Sequence, residues 1–539
     1  MKADFLIRNA RIRTLDDRGI PSESLAALNG RVLAIGSSQD LEPLVGPNTC
    51  VLDLDNRTVL PGFIDAHEHL SWFAEEPLKL NVSPGQVRSL AELLKRVNGE
   101  AAKLVPGKWI QAVLYDDTKM VEGRRLTRND LDQAAPENPV IVVHVSGHWA
   151  VVNSAAMESG GLTDQSPDPK GGTLGRDPNT GRLDGRLIEM AMFNFAFESL
   201  AVQPTVVPPF PREVRRNSLK AAARVLNSAG VCGVGDALTA PSYVTTYHDL
   251  LSSGELSLRV NMIIPYIFLP LLEQIGLLGP WGNEWVRCAG IKVIIDGAIA
   301  GRTAALKQGY VHDPNDHGVL LIEDQAELDE IVGRIHRAGY QACVHANGDL
   351  AIEMALRSIE RAQAAHPRPD SRHRLEHCTM IDDELLSWMA RLGVMALPFG
   401  SYLWQHGEKL QPFYGARAAR MFAHHSFLKA GVKVAGSSDH PAGLYPPLLG
   451  VQSMVTRQTA AGDIIGPAEK ISLEEAFRMY TVYAAYASGE ETLKGRLVPG
   501  SLADVVVLAR DPWVTPPEEI SQIGVDFTIV GGRVVYGQT

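Results

Sequence analysis

The chain has 539 residues, longer than one ordinary domain, and its 45% hydrophobic and 21% charged residues fill a large core and exclude intrinsic disorder. Its formal net charge of -11 argues against a nucleic-acid surface, and no window approaches the roughly 20 consecutive apolar residues of a membrane helix. Five cysteines without CxxC spacing read as reduced core thiols, and the charge-interrupted N-terminus is a poor signal peptide, so the expected compartment is the cytoplasm.

Residues 4–14 (DFLIRNARIRT) and 31–36 (RVLAIG) alternate apolar and polar side chains, the pattern of half-buried strands. At the other end, 503–511 (ADVVVLARD) is strand-like and 527–537 (FTIVGGRVVYG) reads as a hairpin turning on Gly531-Gly532. Neither end holds enough strands to bury a core alone. The expectation is one small β-sandwich built from residues 1–60 together with 495–539. Between the ends, strand runs alternate with helical stretches, which predicts an α/β fold. The clearest helix is 325–338, with Leu328, Ile331, Val332 and Ile335 on one face and Gly339 as its stop. Eight candidate strands at 62–67, 231–236, 259–265, 291–296, 341–345, 373–377, 393–397 and 432–437 predict a (β/α)8 TIM-like barrel over 61–494. A ninth run, 139–145, is accommodated if 71–225 is an insertion after barrel strand one, which would lie over the catalytic face.

The first strand ends in His67-Glu68-His69, and alternation puts the two imidazoles on one side, where both can grip one metal ion. By itself HxH is a weak signal. Its weight comes from His345, His377 and Asp439, each closing another candidate strand, whereas incidental histidines would scatter over helices and loops. Lys292 is a lone cation in an apolar strand. A buried ammonium is paired, neutral or chemically modified. Two readings follow: a neutral amine that takes up carbon dioxide to become a metal-bridging carbamate, or a structural cation paired with Asp296 four residues on. The second is a serious rival because Lys292 sits near the start of its apparent strand, whereas barrel ligands prefer the C-terminal end.

These residues resemble the amidohydrolase superfamily, and within it the branch containing N-substituted formamide deformylase. The resemblance runs through PGFIDAHEHL, the long insertion, IKVIIDGAIAGRTAAL, VHANGD, LEHC, GSSDHP and the closing GRLVPGSLADVVVL. It implies metal ligation by His67, His69, His345, His377 and Asp439, with Lys292 as a carboxylated bridge. It also implies one or two divalent ions, zinc foremost, and a homodimer. The stretch SGHWAVVNSAAM resembles a segment in which a histidine, here His148, reaches toward the substrate.

Three functional readings remain open. The first is hydrolysis of an amide-type C–N bond in a small molecule, with Asp439 moving the proton from the attacking water to the leaving nitrogen. The second is ester hydrolysis, decarboxylation or isomerisation on the same scaffold, and the third a non-catalytic binding relative. Trp72, Phe73, Trp109, Trp149 and the run 192–197 (MFNFAF) favour an apolar or aromatic substituent if they line the pocket rather than the insertion's own core.

Overall fold

The computed structural model describes residues 2–16, 19, 22–201 and 204–537. They divide into two compact units, one of residues up to 71, 219–239 and from 244 onward, the other of 72–218 with 240–243.

The first unit holds the barrel and the terminal sheets. Seven parallel strands follow one another around it: Phe63–Glu68, Val231–Ala237, Arg259–Pro265, Val286–Ile294, Gln341–Ala346, Arg374–His377 and Met395–Leu397. All but a few of their residues are buried, as parallel strands covered on both faces require. The expected eighth strand, 432–437, is not a regular one. It makes only single parallel bridges, Ala396 with Val434 and Phe399 with Ser437. It nevertheless closes the barrel, because Ala66 N donates to Gly436 O (3.1 Å) and Asp439 N to His67 O (2.9 Å) on its other side. Regular pairing is interrupted where Gly436 runs against the Tyr480 ring, atoms of which lie 3.0 Å from where a Cβ would stand.

A second departure concerns the fourth strand, which begins at Val286 rather than 291. The run Val286–Ile291 is itself apolar apart from Arg287, and Gly290 hides its continuity. Lys292 therefore lies near the C-terminal end of its strand, where barrel side chains carry chemistry. The predicted helix forms as Gln325–Arg337, capped by the Asp324 side chain and ended at Gly339, whose φ is +84°.

Both chain ends build one sandwich. A four-stranded sheet comprises Phe5–Arg8, Ser24–Leu28, Arg31–Gly36 and Cys50–Asp53. A five-stranded sheet joins Arg11–Ile12 and Thr58–Pro61 from the start of the chain to Val505–Leu508, Val525–Val530 and Arg533–Tyr536 from its end. Phe5, Ile7, Leu25, Val59, Val505, Val507 and Ile529 share its core. Asn9, at φ +52°, breaks the expected continuous N-terminal strand in two, and each half joins a different sheet.

The second unit, the insertion after strand one, carries a six-stranded sheet. Its strands are Leu80–Asn81, Ile110–Tyr115, Val140–His144, Trp149–Val152, Leu183–Glu189 and Gly172–Arg176, in that spatial order. The surplus run at 139–145 thus belongs to this sheet and not to the barrel.

Candidate metal centre

His67 and His69 leave the end of strand one on the same side, as period-two alternation dictates. Asp439 meets them from the segment that closes the barrel, with its backbone held at φ +56°. Oδ1 of Asp439 lies 3.2 Å from Nε2 of His67 and 3.1 Å from Nε2 of His69. This oxygen is buried, yet no hydrogen bond of acceptable geometry reaches it. The other ring nitrogens are occupied: His69 Nδ1 donates to Ala237 O at 2.9 Å, and His67 Nδ1 donates to Glu376. Two imidazole lone pairs and a carboxylate oxygen therefore converge, all within 4.8 Å of one another. That donor set fits a divalent ion such as zinc, and the partners on Nδ1 fix the tautomers that ligation needs.

His345 and His377 form a second pair of donors. His345 Nε2 donates to Gly297 O at 3.1 Å, which leaves Nδ1 as a lone pair, and this atom faces Nε2 of His377 at 3.0 Å. The His377 ring lies 5.1 Å from that of His67 and stacks on Phe399 at 4.4 Å. Ordinary strand alternation would turn His377 away from the side to which Glu376 points. A φ of +68° at His377 and +43° at Cys378 reverses it, so neighbours in sequence both reach the centre. Asn347 braces this pair by donating to Gly297 O and accepting from the Thr379 hydroxyl.

Lys292 is buried with Nζ 3.2 Å from Nε2 of His67. Burial lowers its pKa, against the opposing charges of Glu376 and Asp439. The Asp296 pairing is not formed. Asp296 instead accepts backbone N–H bonds from Asn347, Gly348 and Ala305 and lies 3.4 Å from His345 Nε2.

Burial pushes the Asp439 carboxyl up, but the imidazoles of His377, His67 and His69 around it outweigh it and hold the group well below its usual range. Burial and the Lys292 charge bring His345 down to about 3, and burial holds His377 well below its ordinary value. The Glu of the HExH run behaves differently. Neither oxygen of Glu68 has a hydrogen-bond partner, and burial, then Asp65 and Asp236, raise its pKa well above the ordinary carboxyl value, which favours the neutral acid.

His148 lies in the second unit. Its Nδ1 faces both oxygens of Glu189 at 3.1 Å, which raises its pKa, and Glu189 has an unusual backbone, φ +51° and ψ -124°. The aromatics of that unit are largely drawn into its own packing. Trp109 contacts Phe195 and Phe193 contacts Phe197, around a core that includes Met192 and Leu187.

Glu376, Arg374 and Phe399 were not singled out from the sequence. For Arg374 and Glu376 the signal was available: like Lys292, they are charged residues inside an otherwise apolar barrel strand.

A barrel of this kind, with imidazoles and a carboxylate gathered at the ends of its strands, defines a metal-dependent hydrolase. The chain belongs to the amidohydrolase family, which it matches over residues 50–536, and it is accordingly an enzyme that hydrolyses carbon–nitrogen bonds of small molecules. It is 29% identical over 548 residues to an N-substituted formamide deformylase of Arthrobacter pascens, covering 99% of both chains. It is 28% identical to the putative amidohydrolase YtcJ of Bacillus subtilis, covering 97% of this chain and 98% of that one. In fold it resembles the crystal structure of an uncharacterized metal-dependent hydrolase from Pyrococcus horikoshii, with a TM-score of 0.78 at 23% identity over 95% of this chain and 99% of the other. No helix among the described residues is long and apolar enough to cross a membrane.

Proposed function

We propose that the protein hydrolyses a non-peptide amide-type bond, in a linear amide, a formamide or a cyclic amide, with His67, His69, Lys292, His345, His377 and Asp439 holding one or two zinc ions. The observation that carries this reading is the buried Asp439 oxygen, without a hydrogen bond, between two imidazoles whose lone pairs face it. Imidazole and carboxylate donors suit zinc and its neighbours. A divalent cation held there supplies Lewis acidity, bringing the pKa of water toward about 7 and polarising a carbonyl.

The chain's own residues supply the rest. Asp439 is held anionic and can take a proton from the attacking water at a carboxylate oxygen. It then delivers that proton to the departing nitrogen, which leaves poorly as an unprotonated amide anion. Lys292, as a carbamate, would present two anionic oxygens and take no part in proton transfer. His148, oriented by Glu189, is assigned to the substrate. The likeness to the formamide deformylase supports an N-substituted amide.

The test joins metal analysis to a panel of N-substituted formamides, linear amides, lactams, cyclic imides and esters. We expect one or two divalent transition metals per chain, activity abolished by chelation, and amine release from at least one amide class. Turnover of esters alone would overturn the bond assignment, and metal-free protein with full activity would overturn the centre.

A further inference from the structure

His67 does not stand alone on its strand. Its Nδ1 donates to Oε2 of Glu376, whose carboxylate is gripped by Arg374: Nε donates to Oε1 at 2.5 Å and Nη2 to Oε2 at 3.1 Å. Nη2 also donates to Ala66 O at 2.9 Å, in the residue next to His67, so the guanidinium is anchored to the very strand it serves. His67, Arg374 and Glu376 are each 1% exposed or less. Period-two alternation puts Arg374 and Glu376 on one side of strand six, while the positive φ of His377 lets the next residue join the centre as well.

A buried carboxylate with one cationic partner and one imidazole partner is a costly arrangement. Replacing a buried ion pair by apolar side chains is often neutral or stabilising, so packing alone gives little reason for it. Its geometry has a more specific consequence. With the Nδ1 proton committed to Glu376, the lone pair of His67 is confined to Nε2, the atom facing Asp439 and Lys292. The paired Arg374 in turn fixes the carboxylate plane, and so the direction in which the imidazole points.

We infer that Glu376, clamped by Arg374, is a positioning residue that sets the tautomer and orientation of His67 for metal binding. This rests on the metal-centre reading above. Glu376 itself touches neither substrate nor reacting atoms. Partners of this type, beyond the ligands themselves, typically change metal affinity by about 10 to 100-fold.

The experiment measures zinc affinity by chelator competition, and the visible spectrum of the cobalt-substituted protein, for wild type, Glu376→Gln, Arg374→Met/Glu376→Met and His67→Ala. Glu376→Gln keeps the shape but removes the charge, and the double variant removes the ion pair together, so that no lone buried charge threatens folding. We expect both to bind metal about 10 to 100-fold more weakly than wild type, with an altered cobalt spectrum and a native circular dichroism spectrum. His67→Ala should lose the ion outright. Wild-type affinity and spectrum in either folded Glu376 variant would overturn the inference while leaving the centre intact. Wild-type protein that binds no metal, or His67→Ala that binds it unchanged, would overturn the metal-centre reading and this inference with it.

Discussion

Nζ of Lys292 lies 3.2 Å from Nε2 of His67, and no carboxylate oxygen among the described residues comes within ion-pair distance of it. A buried ammonium in that position is expensive, and burial lowers its pKa. A neutral amine can attack carbon dioxide, forming an N–C bond and releasing one proton, and the resulting carbamate is an anion where the neighbouring donors converge. Lys292→Ala should then lose metal and activity, and a short carboxylic acid such as propionate in bicarbonate-free buffer should restore part of both. A metal-replete, active Lys292→Ala enzyme would exclude the bridge.

Asp439→Asn separates holding the ion from moving the proton. The amide oxygen can still coordinate, weakly, but it cannot accept a proton at neutral pH. Most of the metal should remain, while turnover should fall about 100 to 10,000-fold, the usual contribution of general acid–base catalysis. Near wild-type turnover in this variant would remove Asp439 from proton transfer.

His148 sits with Glu189 in a compact unit separate from the barrel. His148→Ala should leave metal content unchanged and damage substrate handling, read as a raised KM or a reduced kcat/KM. Loss of metal would mean that the insertion contributes a ligand. Glu189→Gln should reproduce part of the same defect, because the raised pKa of His148 comes first from its hydrogen bond to that carboxylate.

Much of the candidate centre is legible in the sequence because barrel chemistry is confined to strand ends, and His67, His69, His345 and His377 each follow an apolar run. The differences have local causes. Gly290 masks the start of strand four, which keeps an Asp296 pairing open as a rival to the bridging role of Lys292. His377 is expected at the centre, but that Glu376 beside it also points inward does not follow from strand alternation, since it depends on a positive φ at His377. Glu376 is harder to read, because the histidine next to it in LEHC already accounts for the chemistry of that strand end. The insertion's aromatic cluster was ambiguous for a different reason: the same rings serve a pocket or a core equally well, and only packing separates the two.

The last prediction concerns acid stability and lies away from the ligands. His424 is buried, neither ring nitrogen makes a hydrogen bond, and burial together with the Arg457 charge brings its pKa down to about 3. His373 is buried against His336, their facing nitrogens 2.8 Å apart, and burial holds its pKa well below the ordinary value. Both groups stay neutral in the folded protein where the unfolded chain, titrating near 6.5, has already taken up protons. Between those values the unfolded state binds more protons, so stability rises with pH; it is fully present above about 6.5 and is lost as pH falls toward the folded values. The urea midpoint should therefore drop steeply from pH 6.5 toward pH 4. His424→Leu removes one titrating group and an unsatisfied pair of buried nitrogens. It should flatten that slope by up to one proton, about 1.4 kcal/mol per pH unit within the window, and leave stability at neutral pH equal or higher. An unchanged slope in the variant would mean that His424 is already charged, or already hydrated, in the folded protein.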